Sequence, residues 1–164
     1  MLKSFVGATT YFIVLLVIMS TLSHSPVAQA EKQHGNVSHK NVATPSDQIA
    51  VILGQKSIQA TVANTDSTRT QGLLGWSQIG YGQGMLLDFI KPGLFAIHMQ
   101  GMKFPIDALW IDSGDVIKLI YEDIQPDSGA IYPSMFPVRY CLEVHAGFCK
   151  KHGVKEGQKV VFGN

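Results

Sequence analysis

Two stretches of the sequence carry polar side chains at every second position, the spacing that places residues on one face of a β-strand. His98 and Gln100 alternate in the first stretch, and Arg139, Cys141 and Glu143 alternate in the second. If the two stretches lie side by side, their polar faces form one pocket. Arg139 would then hold an anionic or carbonyl group of a ligand, while the histidine, the glutamine and the glutamate supply hydrogen bonds.

The same pattern also fits a solvated outer face of a sheet, on which Arg139 and Glu143 pair with little energetic effect. The spacing does not decide between a pocket and a solvated face. Asp107 is a further candidate, because it shares a strand face with apolar residues and an acid in that position needs a partner. It either caps a backbone turn after Pro105 or joins the ligand site. The predicted ligand-binding residues are therefore His98, Gln100, Asp107, Arg139 and Glu143.

Motifs of common enzymes are absent from the sequence. There is no H-E-x-x-H, no G-x-S-x-G and no C-x-x-C. Cys141 could form a thiol–imidazole pair with His98 or His145, although an inert thiol or a disulfide is the simpler fate. The acids available to a hydrolytic reaction are Asp107, Glu122 and Glu143. The sequence assigns no catalytic residue, and the question of an enzyme stays open.

Metal ligands occur without the spacing of a metal site. His98, Met99 and Met102 are of the types that bind Cu(I), but strand alternation would point His98 and Met99 to opposite faces, which favours Met99 as a core residue. Several acids near turns could meet a hard cation such as Ca²⁺, but they lack the dense spacing of a calcium loop. These acids are Asp112, Asp115, Glu122, Asp123 and Asp127. We expect no metal and no cofactor.

The first thirty residues predict export. Lys3 precedes an apolar run over residues 5–22, and Ala28-Gln29-Ala30 offers the small residues of a signal-peptidase site. We predict a signal peptide over residues 1–30 and a periplasmic or extracellular mature protein. The run is also almost long enough to stay as a membrane anchor, which is the one membrane contact expected. In an oxidising compartment, the even pair Cys141 and Cys149 suggests a disulfide, which their separation permits but does not require.

Charge and composition restrict the partners. Removing residues 1–30 takes away one lysine and no acid, so 13 basic residues become 12, against 12 acidic residues. A net charge near zero argues against nucleic acid as a partner, since that binding depends on neutralising phosphates. Residues 31–48 are polar and contain His34 and His39, and we predict a flexible linker there.

From residue 49 onward, short apolar runs alternate with turn residues, as is typical of a small all-β domain. We predict a hairpin from residues 49–53 and 57–63, then a helix over 68–74 that is capped by Thr65 or Asp66 and ended by Gly75. Four successive antiparallel strands are predicted at residues 85–90, 94–100, 104–112 and 116–124. A loop with three prolines (125–137), a strand (138–144), a helix (146–152) and a strand (159–162) follow. These elements predict a mainly β domain over residues 49–164, a compact antiparallel β-sandwich or barrel with two short helices.

Five sequence blocks occur in an order that resembles the uncharacterised family called domain of unknown function 192. They are R-x-x-G-L-L (69–74), G-M-L-L-x-F (84–89), I-H-M-Q-G-M-K-F-P-I-D-A-L-W-I-D (97–112), R-Y-C-L-E-V-x-A-G (139–147) and G-V-K-E-G-Q-K-V (153–160). The resemblance implies a compact β-sandwich or barrel that is frequently exported and has no established reaction. Family members often have an aromatic residue, lysine and asparagine where this chain has His98, Gln100 and Gly101.

These observations favour an exported small binding or accessory module of the cell envelope, whose partner is an unknown small molecule or an envelope component. One alternative is a hydrolytic enzyme that acts on an envelope carbohydrate or peptide. Another is a structural interaction domain that docks a partner strand on an exposed sheet edge. A concave polar pocket around His98 and Arg139 would favour the first two functions over the third.

Overall fold

A β-hairpin opens the part of the chain that the computed structural model describes, which is residues 47–163. Its strands are β1 (Gln48–Leu53) and β2 (Lys56–Ala63), joined by a two-residue turn. Gly54 has a φ of +61°, a value that favours glycine at the first central position of such a turn. The predicted hairpin is confirmed. The predicted signal segment and the predicted linker up to residue 46 lie outside the described residues.

Within residues 47–163, seven strands form one sheet and two short strands form another. The remaining elements are α1 (Asp66–Gln71), β3 (Gln83–Gly93), β4 (Ala96–His98), β5 (Ile106–Ile111), β6 (Ile117–Ile124), β7 (Ile131–Pro133), β8 (Val138–His145), α2 (Phe148–His152) and β9 (Val160–Phe162). The strand order of the large sheet is β6-β5-β8-β3-β2-β1-β9, and β4 pairs with β7 in the small sheet. All pairings are antiparallel except that of β2 with β3.

The prediction of four successive antiparallel strands is wrong. β3 lies between β2 and β8, and β4 leaves the large sheet to pair with β7. Of the four predicted strands, β5 and β6 alone are direct neighbours within the described residues. The predicted loop 125–137 contains β7, and its Pro133 is tolerated because a two-stranded sheet has solvent-facing edges.

The large sheet buries both of its faces. Its end strands are linked by a bridge between Val116 and Lys159, and the Ile117 amide donates to the Gln158 carbonyl at 3.0 Å, so the sheet curls into a half-barrel. The first core cluster fills the concave face and takes residues from both ends of the sheet, among them Val51, Ile117 and Val160. The second core cluster lies on the opposite face, under the segments around α1 and β4. The predicted mainly β fold with two short helices is confirmed.

The helices are short and have clear ends. Thr65 is the N-cap of α1, as predicted, and forms a capping box with Thr68. The helix ends at Gly72, before the predicted Gly75. Gly153 ends α2 with a φ of +65°, as the sequence predicts. No helix within residues 47–163 is long and apolar enough to cross a bilayer.

The two cysteines are free thiols, so the disulfide suggested by the sequence is wrong. Cys141 belongs to the second core cluster, whereas Cys149 belongs to the first. The cause is that β8 directs Cys141 to one face of the sheet, while α2 packs against the other. The sheet therefore separates the two sulfur atoms, which both lie in buried positions.

Candidate functional site

A cavity of about 290 Å³ lies over the second core cluster, between the large sheet, the α1 segment and the β4 segment. Its floor is formed by Leu87 of β3, Ile106 of β5 and Glu143 of β8. Its walls are residues 69–74 on one side and residues 96–102 on the other. We call this space the Glu143 cavity. Most of its apolar lining comes from Leu73, Leu74, Leu87, Phe89, Ile97, Met99, Met102 and Ile106.

Glu143 is the unusual residue of the floor. Its register partners are Met85 on β3 and Ala108 on β5, and the small alanine leaves space beside the carboxylate. The residue is only 7% exposed, and its side chain makes no hydrogen bond or ion pair to any other residue in the described range 47–163. Burial raises the pKa of Glu143 from 4.5 to about 7. The cavity thus contains an acid that is close to half-ionised near neutral pH.

Arg69 forms part of the opposite wall, but its charge already has partners. Its Nη1 donates to the backbone oxygen of Asp88 at 2.6 Å, and its Nη2 pairs with Asp66 at 2.5 Å. The guanidinium carbon lies 5.8 Å from the centre of the Phe89 ring, within the range of a cation–π contact. These contacts hold α1 against β3, because the arginine reaches from the helix to the strand.

His98 and Gln100 lie at the mouth of the cavity. Both are exposed, and both also line a second, more open concavity with Asp127 and residues 129–131. Asp127 fixes this rim, since its Oδ1 accepts from the Gly101 amide at 2.8 Å and its own amide donates to the Met99 carbonyl at 3.1 Å. The mouth is therefore built on a hydrogen-bonded turn.

The structure brings three of the five predicted ligand-binding residues to this cavity, namely His98, Gln100 and Glu143. It does not bring Arg139 there. Arg139 pairs with Asp88 at 3.3 Å, and its guanidinium carbon lies 4.9 Å from the ring centre of Tyr140, which packs against the first core cluster. The hydrogen bond to Asp88 raises the pKa of Arg139.

Irregular pairing explains why strand alternation misplaced Arg139. The pairing of β3 with β8 shifts register between Asp88 and Gly93, where Ile90 adopts a φ of +67°. Val138, instead of Arg139, therefore packs in the second core cluster together with Cys141. Regular alternation resumes after the irregularity, which is why Cys141 and Glu143 do share a face. A single pocket that contains both Arg139 and Glu143 is not formed.

Asp107 is fully buried but lies outside the cavity lining. Its Oδ1 accepts from the amides of Asp123 at 2.9 Å and Gly147 at 3.0 Å, and its Oδ2 accepts from the Cys149 amide at 2.9 Å. The aspartate is thus a backbone cap, as one of the two sequence interpretations holds. It caps the entry to α2, and not a turn after Pro105.

The geometry of residues 47–163 gives little support to a thiol–imidazole pair or to a metal site, the other kinds of site considered from the sequence. Burial raises the pKa of the Cys141 thiol well above its ordinary value, and this cysteine is absent from the cavity lining. His145 Nδ1 bonds the Ala146 carbonyl at 2.6 Å, and its ring stacks on Tyr81. Residues 47–163 contain no group of three or more histidine, cysteine, aspartate or glutamate side chains that could hold a metal. His98, Met99 and Met102 all line the cavity, although the two methionines are buried core residues.

Arg69 and the apolar walls are the parts of the site that the strand-face reasoning missed. The signal for Arg69 was present, because it begins the R-x-x-G-L-L block and stands three residues after Asp66. A helical i,i+3 pair of opposite charge predicts an ion pair, and the following glycine and leucines predict a helix end packed on a core. Neither signal reveals a cavity, since the cavity arises from the separation of α1 and β4 above the sheet.

Residues 49–162 match the family model of DUF192, described as Uncharacterized ACR, and the chain belongs to this family. A solved structure of a proposed transcription regulator from Sinorhizobium meliloti 1021 is 32% identical, covers 70% of this chain and 92% of that chain, and has a TM-score of 0.66. A protein of unknown function from Novosphingobium aromaticivorans DSM 12444 is 21% identical, covers 70% of this chain and 83% of that chain, and has a TM-score of 0.65. The second likeness concerns the fold alone. No curated protein matches the chain.

Proposed function

We propose that the protein is an exported small binding module of the cell envelope that holds a small molecule in the Glu143 cavity. The observation that carries this proposal is Glu143, which is 7% exposed, has no protein partner among residues 47–163 and opens into a cavity. Burial raises the pKa of this carboxyl group, which reflects the cost of removing its charged form from water. A ligand that fills the cavity and bonds this carboxyl group would offset that cost.

The lining suits a ligand that is partly apolar. A volume of about 290 Å³ is near the lower end of the range, roughly 300–1,000 Å³, that ligand pockets occupy. Apolar side chains form most of the interior, while Gln71, His98 and Gln100 place polar groups at the opening. Such a site gains affinity from apolar burial and orientation from a few hydrogen bonds.

Export is the part of the proposal that rests on residues 1–30. The apolar run and Ala28-Gln29-Ala30 support a cleaved signal and a mature chain that begins at Glu31. N-terminal sequencing of the protein recovered from the envelope fraction tests this. An uncleaved chain that stays with the membrane would indicate an anchor instead.

A hydrolytic enzyme is the second candidate, and Glu143 again supports it. A carboxyl group whose pKa is raised to about 7 by burial is well matched to proton transfer near neutral pH. Asp107 is occupied as a cap and Glu122 is exposed on β6, so neither of the other predicted acids reaches this cavity. If the protein is an enzyme, Glu143→Gln should abolish turnover of an envelope carbohydrate or peptide while ligand binding persists.

A pure interaction domain is less well supported. Its docking surface would be an outer strand of the large sheet, β6 or β9. These strands are joined near one end by the Val116–Lys159 bridge, which occupies part of both edges. The pocket that the sequence associates with ligand binding contains both His98 and Arg139, whereas the cavity includes His98 alone of the two, so the binding proposal rests on Glu143 instead.

The binding proposal is tested by a fragment screen that reads chemical shifts in the purified protein. Ala96 lines the Glu143 cavity and Ala130 lines the second concavity, and both are exposed. Ala96→Trp should obstruct the first space, whereas Ala130→Trp is the matched control. Fragments that bind the unsubstituted protein and the Ala130 variant, but not the Ala96 variant, would support the proposal. A screen that yields no fragment sensitive to Ala96→Trp would contradict it.

A further inference from the structure

The charges around the Glu143 cavity do not balance. Arg69 and Glu143 are its charged lining residues, with His98 at the mouth. Arg69 pairs with the fully exposed Asp66 and bonds the Asp88 carbonyl, and it does not lower the pKa of Glu143, which burial raises. Glu143 has no counter-charge within residues 47–163. When it is ionised, the cavity holds one unmatched negative charge in a largely apolar space.

The elements packed around Glu143 offer nothing to neutralise it. β3 contributes Met85 and Leu87, and β5 contributes Ile106 and Ala108, all of them apolar. On β8 itself, Cys141 and His145 each lie two residues from Glu143 on the same face; Cys141 is a buried thiol, and His145 bonds the Ala146 carbonyl through Nδ1 and stacks on Tyr81. Arg69 of α1 and His98 of β4 complete the titratable groups on the cavity walls. No hydrogen bond or ion pair joins Glu143 to any of these groups within residues 47–163, so the acid has no bonded cation there.

We infer that the Glu143 cavity binds a compact apolar molecule that carries a protonated amine. An ammonium group supplies the missing positive charge and up to three hydrogen-bond donors to the carboxylate. The apolar body of the ligand would fill the space between Leu73, Leu87 and Met99. This inference rests on the proposed binding function and adds the chemical class of the ligand.

An amine fits better than a neutral or an anionic group for electrostatic reasons. A hydroxyl group can bond a carboxyl group in either protonation state, so it gains little from ionised Glu143. A carboxylate ligand would place a second negative charge in the same low-dielectric space, which is strongly unfavourable. A buried charge is tolerated when it is paired and hydrogen-bonded.

The inference predicts that amine binding depends on pH. Because burial raises the pKa of Glu143 to about 7, few molecules carry the ionised acid at pH 5 and most carry it at pH 8. The affinity for an amine that is protonated at both pH values should therefore rise by up to roughly 100-fold between them. Binding should also lower the pKa of Glu143, since the cation stabilises the ionised form.

Isothermal titration calorimetry with three probes of one shape provides the test: cyclohexylamine, cyclohexanol and cyclohexanecarboxylate. We expect the amine to bind at least tenfold more tightly than the alcohol at pH 8, and the carboxylate to bind least. Glu143→Gln should remove the preference for the amine and leave the alcohol bound. Glu122→Gln, which removes an exposed glutamate from β6, should retain the preference. A second readout is the carboxyl carbon resonance of Glu143, whose titration should move to lower pH when the amine is bound.

The outcomes separate this inference from the proposed function. Equal affinity for the amine and the alcohol, or a preference for the carboxylate, would overturn the inference and leave a binding cavity. Failure of the amine to bind, while other fragments still show sensitivity to Ala96→Trp, would do the same. If no probe and no fragment binds the cavity, both the inference and the proposed function fail.

Discussion

Replacing Glu143 with glutamine is expected to change how the free energy of unfolding depends on pH. Burial raises the pKa of this carboxyl group from 4.5 to about 7 in the folded protein, whereas the unfolded chain exposes it to water. The folded state therefore holds the proton more tightly than the unfolded state. The stabilisation that results is fully present below pH 4.5 and is lost as the pH rises through about 7.

The size of this stability change follows from how far burial raises the pKa of Glu143. Each pKa unit corresponds to ~1.4 kcal/mol, so ionisation of Glu143 should cost about 3 kcal/mol of stability. Because the residue is 7% exposed, solvent screening reduces this cost little. Glutamine keeps the shape of the side chain but does not ionise. Between pH 4 and pH 8, the variant should consequently lose about 3 kcal/mol less stability than the unsubstituted protein.

Urea-induced unfolding, measured across this pH range, gives the required free energies. Glu122→Gln is the matched control, since it removes a glutamate from an exposed position on β6. We expect the control to follow the unsubstituted protein and the Glu143 variant to diverge above neutral pH. Parallel curves for all three proteins would show that Glu143 ionises as freely in the folded state as in the unfolded one, and the reasoning about the cavity would then be refuted.

Four further outcomes are expected. Asp107→Asn should destabilise the protein by roughly 3 kcal/mol in urea unfolding, because the carboxylate accepts three backbone hydrogen bonds through its two oxygens, whereas an amide has one oxygen and an NH2 group that cannot accept; a loss below about 1 kcal/mol would contradict the cap. Arg139→Ala should leave cavity binding unchanged and alter stability by only about 0–1 kcal/mol, since its side chain is 38% exposed in its salt bridge; loss of binding would show that Arg139 contributes to the site. Cys141 and Cys149 should resist a thiol reagent in the folded protein and both react after denaturation without a reductant; thiols that react only after denaturation and reduction would indicate a disulfide. Trp110→Phe should cost no more than about 1 kcal/mol of stability, because the buried Nε1 has no partner among the described residues and its loss breaks no hydrogen bond. A loss of about 3–5 kcal/mol, as when a large core side chain is removed and leaves a cavity, would contradict this.

Local structure was readable from the sequence wherever it depends on residues close along the chain. The hairpin around Gly54, the cap at Thr65 and the end of α2 at Gly153 follow from backbone preferences that few residue types satisfy. The face shared by Phe95, Ile97 and Met99 follows from strand alternation, and all three pack with the second core cluster. The family also follows from the order of sequence blocks, which the family match over residues 49–162 confirms.

The order of the strands depended on contacts that are distant in the sequence. β8 lies between β3 and β5, and β2 runs parallel to β3, so neighbours in the chain are not neighbours in the sheet. Hydrophobic alternation specifies which face of a strand is buried, but many pairings satisfy it equally. The same limit hid the separation of Cys141 and Cys149, because their spacing does not reveal that the sheet lies between them.

The candidate site shows most clearly which properties depend on the sequence and which depend on the tertiary structure. The sequence by itself placed His98, Gln100 and Glu143 among the polar residues that could meet a ligand, since their types and spacing are local properties. Tertiary structure alone decided that Glu143 is buried, because α1 and β4 cover that face of the sheet, and that Arg139 leaves it, because the register shifts opposite β3. Burial and charge compensation are sums over surrounding groups from many parts of the chain, so these properties exist only once the chain has folded.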